Sequence, residues 1–225
     1  MRELMLQLRW ALPIWLVGLL TNWWPDNRLS VKLRGMLARP FIRKCGRNLT
    51  LGSQVTLLNT HNLEIGNDVY IARGSWLNCM AGLTLEDEVV IAPYVVISTL
   101  QHTFKDGSVR HGGSIARPVR VGRGTWLAAH STVKCGVSIG AGNLIAANSA
   151  VVKDTPDHVI VGGVPARVLA DRMGCLKGGV VANVVVPTPD YVRFASHYGF
   201  APDFCHANDP QSKGIVENLC GYAQR

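Results

Sequence analysis

The sequence is short of charge, of aromatic residues and of paired cysteines, and each shortage closes off a class of structure. Charged residues occupy 17% of the 225 positions and Phe, Trp and Tyr 7%, too few for the Lys/Glu-rich surface of a helical bundle. The six cysteines (Cys45, Cys79, Cys135, Cys175, Cys205 and Cys220) are irregularly spaced with no C-x-x-C pair. That pattern signals neither a zinc site nor a disulfide scaffold and fits a reducing compartment. What the chain has instead is 48% apolar residues and 23 glycines. Such a composition buries a core in one or two domains, excludes a wholly disordered chain and leans toward β-structure.

Acidic residues are few at the start, where basic ones are many. Residues 1–47 hold nine Lys or Arg against Glu3 and Asp26, a net +7 that leaves only +1 for the rest of the chain. The same segment contains the apolar stretch Trp10 to Trp24, with four of the six tryptophans. Its fifteen residues are short for a bilayer span, which needs about 20 in a helix. No small-residue cleavage site follows it, as a signal peptide would require. Two readings stand: an interfacial anchor, with tryptophans at headgroup depth and arginines toward anionic lipid, or a helix that caps a neighbouring core. No nucleic-acid-binding motif accompanies the basic residues.

From Leu51 onward the dominant signal is a period of six. Val121, Leu127, Val133, Ile139, Ile145 and Val151 follow without a gap; Ile65, Ile71, Leu77 and then Leu85, Ile91, Ile97 keep the same step with a slip of two between the sets; Leu51 and Leu57 begin the series. Gly, Ala or Ser often follows the aliphatic residue, as at Gly66, Ala72, Ala92, Ser98, Gly122, Ala128, Gly140 and Ala146. Neither a helix nor an alternating strand needs this. A parallel β-helix does: three short strands per coil, about 18 residues, each send one aliphatic side chain to the axis, and coils stack at about 4.8 Å. Such a stack needs a cap at its end.

The repeat fails between Ile97 and Val121, a gap of 24 where six to eight was due. The residues around 102–118 therefore leave the coil as a Gly-rich, charged loop, the kind of excursion from a rigid scaffold that usually serves function.

Over roughly residues 47–170 the chain resembles the hexapeptide-repeat, left-handed β-helix acyltransferases, in the branch of maltose and galactoside O-acetyltransferases and polysaccharide (colanic-acid-type) O-acetyltransferases. The residues that carry the likeness are Val89-Val-Ile-Ala-Pro93, Ile97-Ser-Thr-Leu-Gln-His102, Pro118-Val-Arg-Val-Gly122, Thr125-Trp-Leu127, Val137-Ser-Ile-Gly140, Val151-Val-Lys-Asp154 and Gly162-Gly-Val-Pro-Ala-Arg167. The resemblance implies an all-β fold: a left-handed parallel β-helix at 48–170, after a helical N-terminal segment at 1–47 and before an irregular tail at 171–225. It implies a cytoplasmic homotrimer, peripheral at the inner membrane face if the anchor reading holds, that uses acetyl-CoA as co-substrate and a sugar or glycan as acceptor. No nucleic acid enters as a partner.

A thioester is already activated, so transfer needs a base for the acceptor hydroxyl and donors for the developing oxyanion. The resemblance places the base at His102, with Asn78 as its partner or an acceptor contact. It puts Trp126 beside the CoA arm, the Ala129 backbone at the oxyanion, Ala147 along the pantetheine, and Lys153 and Arg167 on the phosphates. His111 and Arg117, on the excursion, are acceptor-contact candidates. The histidines lack the close pair of a metal site, so no metal is expected. An N-acetyltransferase of an amino sugar and a non-catalytic β-helix scaffold are the alternatives. Residues 171–225 lose the six-step and contain the apolar run Val180 to Val186, which reads as a strand for a neighbour or as disorder.

Overall fold

Every aliphatic residue of the six-step series points to the axis of a stack of coils. The computed structural model describes residues 2–171, 177–181 and 184–187. Leu51, Leu57, Ile65, Ile71, Leu77, Leu85, Ile91, Ile97, Val121, Leu127, Val133, Ile139, Ile145 and Val151 are all buried in one continuous core. The strands form three parallel sheets, the faces of a prism. The first contains Leu63–Ile65, Leu83–Leu85, Val119–Val121 and Ser138–Ile139; the second Thr50–Leu51, Tyr70–Ile71, Val90–Ile91, Trp126–Leu127 and Leu144–Ile145; the third Thr56–Leu58, Trp76–Asn78, Val96–Ser98, Thr132–Val133 and Ala150–Val151. This is the parallel β-helix that the period predicts.

The coils are not all of the expected 18 residues. In the early coils Leu51 pairs with Ile71 and Ile71 with Ile91, twenty residues apart. Eighteen holds only later, where Leu127 pairs with Ile145. The two extra residues lie at the corner between the third sheet and the first, and the excursion leaves from that same corner. Nor is the excursion an irregular loop. Leu100–His102 pairs antiparallel with Ser114–Ala116, placing His102 opposite Ser114, so it is a hairpin arm.

A stacked corner repeats its backbone geometry on every coil. After the second sheet, Gln54, Gly74, Tyr94, His130 and Asn148 all take left-handed φ between 58° and 71°. The rings of Tyr94 and His130 stack at 5.2 Å, which gives His130 a structural place. At Gly74 a Cβ would collide with the Tyr94 ring, so the space there, rather than the conformation that its non-glycine counterparts share, favours glycine. The prism interior also holds polar groups toward its C-terminal end. Buried Asn143 donates to Thr155 Oγ1 and to the Pro156 carbonyl, both at 2.8 Å, and accepts from Val159 N at 2.9 Å.

Helices close the N-terminal end. The helix α1 (Arg2–Leu6) continues through a π-helical segment, Gln7–Ala11, into α2 (Leu12–Thr21), and α3 (Arg28–Ala38) follows. Asn27 caps α3 by accepting from the N–H groups of Leu29 and Ser30. The apolar stretch thus lies within a longer helix than its fifteen residues suggest: Glu3–Thr21 is long and apolar enough to cross a membrane. Ile14 and Val17 pack on the core, so the segment caps the first coil.

One buried arginine fastens this cap. Arg34, 1% exposed, donates to Asp26 Oδ1 at 2.9 Å, to the Leu51 carbonyl on the edge strand at 2.8 Å, and to the Thr21 carbonyl at 3.2 Å. Asp26 also accepts from Ser53 N and Oγ. Contacts divide the chain into Met1–Val168 and Leu169–Arg225. Within the second unit Lys177–Val181 pairs antiparallel with Val184–Pro187, so the apolar run meets a strand of its own unit. The rest of the expected 171–225 tail, with Cys175, Cys205, Cys220, His197 and His206, lies outside the described residues.

Burial raises the Asp26 carboxyl, but the Ser53 and Arg34 hydrogen bonds outweigh it and hold the group below the usual value. Its contribution is therefore complete above about pH 3.9, where an unfolded Asp titrates, and is lost as pH falls through the lower folded value. Asp26→Asn should remove this acid sensitivity in thermal melts. Arg34→Met, which takes the charged donor from Asp26 and a donor from the Leu51 carbonyl, should cost about 3–5 kcal/mol by urea unfolding.

Candidate active site

The arm is rooted at both ends of its base. Thr99, fully buried, sends Oγ1 to the Asn78 carbonyl at 2.9 Å and receives Ala81 N at 3.0 Å. Its own carbonyl receives Arg117 N at 2.9 Å where the chain returns. On the next coil Cys135 Sγ meets Gln101 Oε1 at 3.3 Å, and the Arg117 side chain lies over Gly136. Near the tip Thr103 Oγ1 donates to the Gly112 carbonyl, and a side chain at Gly112 would overlap the Thr103 carbonyl. These contacts give a short strand that follows Gln101 a fixed course.

His102 is the next residue on that course. Its imidazole is exposed and shares a hollow of about 420 Å³ with Val109, Arg110, Gly113 and Ser114. All five are arm residues. Arg110 supplies a fixed positive charge and Ser114, opposite His102 in the hairpin register, a hydroxyl. Asn78 sits on the third sheet beside Ser98. Its Oδ1 already accepts Asn59 Nδ2 at 3.0 Å and Met80 N at 3.2 Å.

A second group forms on another part of the prism. Trp126, 40% exposed, lies on the outer face of the second sheet between Val90 and Leu144. Ala129 and Ala147 follow that sheet at the same corner on successive coils, linked by Asn148 N donating to the Ala129 carbonyl at 3.0 Å. The Ala129 N–H itself has no backbone partner among the described residues. Lys153 is exposed after the last strand of the third sheet, and Arg167 is exposed on Ala166–Asp171. Chemically, cations such as Lys153 and Arg167 suit phosphates, and an apolar face such as that of Trp126, with backbone donors beside it, suits a pantetheine arm. Among the described residues no three His, Cys, Asp or Glu converge as metal ligands.

No family model matches the chain. Galactoside O-acetyltransferase of Escherichia coli K12 is 29% identical over 142 residues, covering 63% of this chain and 70% of that protein. An Escherichia coli protein assigned to colanic acid biosynthesis as an acetyltransferase is 28% identical over 167 residues, covering 74% and 87%. A hexapeptide-repeat acetyltransferase from Vibrio cholerae, crystallised with acetyl-coenzyme A, matches with a TM-score of 0.63 over 72% of this chain and 86% of that one, at 24% identity. The chain is similar in sequence to these acetyltransferases. Its fold is the parallel β-helix of the hexapeptide-repeat acetyltransferase from Vibrio cholerae.

The expected site residues fall into two sets. His102 stands on the arm; Trp126, Ala129 and Ala147 share one sheet and its corner. His111 and Arg117 do not line the His102 hollow: the first is exposed near the arm tip, and the second is exposed at the arm's base, where its aliphatic stem lies over Gly136. Arg110 and Ser114 line it instead. The signal that finds them is strand pairing, since a hairpin that puts His102 opposite Ser114 brings the segment around 109–114 back to the imidazole.

The arm's hold on His102 is open to test at its root. Thr99→Val keeps the shape but leaves the Asn78 carbonyl and Ala81 N–H without the hydroxyl. The expected cost is about 1–3 kcal/mol by urea unfolding. Amide exchange should rise across 100–116 while the axial strands stay protected.

Proposed function

We propose that this protein moves the acetyl group of acetyl-CoA to a hydroxyl of a sugar or surface-polysaccharide precursor by direct attack, with His102 as general base. The observation that carries the reading is the exposed imidazole, held on a rooted strand and facing a hollow that also offers Arg110 and Ser114. A histidine titrates near neutrality and suits this task. The acceptor oxygen forms the new bond to the acetyl carbonyl carbon and gives its proton to the imidazole. The carbon–sulfur bond breaks, and CoA leaves as thiolate to take up a proton. The unpaired Ala129 N–H is the donor for the developing oxyanion. Lys153 and Arg167 hold the CoA phosphates, Trp126 and Ala147 line the pantetheine, and the Asn78 amide is the base's partner. The relatives named for galactoside and colanic acid acetylation support a sugar hydroxyl as acceptor.

Topology supports a shared site. The arm leaves the corner between the third and first sheets, and in a three-sided prism the face opposite that corner is the second sheet, where Trp126 stands. His102 of one subunit therefore works with the Trp126–Ala129 wall of another, in a cytoplasmic homotrimer.

His102→Ala should leave the melting temperature and CoA affinity unchanged while lowering transfer about 10²-fold or more; retained turnover would remove the base assignment. Mixing His102→Ala with Trp126→Ala subunits should restore part of the activity that neither has alone, because some interfaces then carry both intact halves. Absence of complementation would argue for a site within one subunit. Matched hydroxyl and amine acceptors, scored by release of CoA thiol, separate O- from N-acetylation.

A further inference from the structure

The N-terminal helices turn their apolar faces away from the protein. In α3 the residues against the first coil are Ser30, Arg34, Gly35 and Ala38, while Leu29, Leu33, Met36 and Leu37 are exposed on the opposite side. This reverses the amphipathicity of an ordinary surface helix. In α2 only the seam of Ile14, Val17 and Thr21 meets the core; Leu12, Trp15, Leu16, Leu19 and Leu20 face outward, and Trp23 is 85% exposed. The helix α3 packs on Thr50–Leu51, Ile14 and Val17 of α2 lie over Leu51 and Leu57, and the two helices touch each other, so the two stripes lie side by side as one outward apolar surface.

The rim of that surface is cationic. Arg28, Lys32 and Arg39 run along one flank of the α3 stripe at helical spacing, all exposed. Of the two acidic residues in the segment, Asp26 is committed to Arg34 and Ser53, which leaves Glu3. A second copy of the chain across a symmetric contact would set these cations against their own kind. An anionic lipid surface meets both features at once: acyl chains take the leucines, tryptophans sit at headgroup depth, and arginines and lysines meet phosphates.

Glu3–Thr21 has the length to cross a bilayer, but it is tied down along its course. Arg9 donates both Nη groups to the Pro40 carbonyl at 3.1 and 3.2 Å, with its guanidinium over the Trp10 ring at 4.5 Å. Ile14 and Val17 follow on the core, and Thr21 gives its carbonyl to Arg34. Crossing would break all of these. We propose that α2 and α3 form a monotopic platform whose outward leucine and tryptophan stripes lie in the interface of an anionic membrane, with the β-helix standing on it. This inference does not rest on the acceptor assignment above.

Flotation of the full-length protein with phosphatidylcholine vesicles, with and without phosphatidylglycerol, tests it. Binding should favour the anionic vesicles, weaken with salt, shift tryptophan emission to the blue, and be released by alkaline carbonate. Leu16→Ser/Leu19→Ser/Leu33→Ser changes only exposed side chains. It should keep the circular dichroism spectrum and CoA affinity of the parent while its partition coefficient falls about tenfold or more. Arg28→Glu/Lys32→Glu should lose the salt-sensitive part of the binding. Failure of the parent to float, equal flotation of the triple-serine variant, or carbonate-resistant retention would each overturn the platform. So would a vesicle-independent oligomer that the serine variant dissolves.

Discussion

Parallel rungs stack only if each turns its corners where the one beneath does. That requirement governs this protein more than any single contact, because a coil that gained a residue in a face would swing its aliphatic side chains off the axis. The chain meets it by keeping length changes out of the faces. Coils of twenty residues give way to coils of eighteen with no break in the buried column, since the difference lies at one corner. The left-handed backbone at Gln54, Gly74, Tyr94, His130 and Asn148 is the other side of this rule: the corner geometry is common property, and side chains as unlike as tyrosine and asparagine adopt it because their neighbours above and below already have.

Function is distributed on this frame by where it is free to vary. The faces must stay regular, so they offer flat apolar columns and evenly spaced N–H groups, suited to a long, thin co-substrate. The free corner offers reach, and the chain uses it for an arm with a histidine, an arginine and a serine around one hollow. Thr99 and Cys135 tie that arm to the coils below and above, which lets an exposed imidazole keep a defined position without being buried.

The axial column was readable from the sequence because its signal is local: one aliphatic residue every six positions, usually followed by a small one. The arm was readable as the place where that signal stops, and with it the position of His102. Its internal order was not, because a three-residue strand pairing across a turn at 103–113 leaves no periodic trace. Arg110 and Ser114 carry no sequence signal for that reason, while His111 and Arg117 stand out by their chemistry. Thr99 was equally hidden, since its partner carbonyl lies 21 residues back and comes into reach only once the coil length is known. At the N-terminus, composition and charge gave the segment's two readings, cap and anchor. Three-dimensional packing shows that Arg34, which looks like one more surface cation, is the bolt of the cap, and that the leucines around it are not its core.

Because the arm joins a corner that already tolerates surplus residues, its length can drift without disturbing any layer of the prism. On the function proposed above, acceptor preference can then change by exchange of one exposed cassette while the surface for the acetyl donor stays fixed. A lineage carrying this scaffold can explore new binding partners at little hazard to its ability to fold.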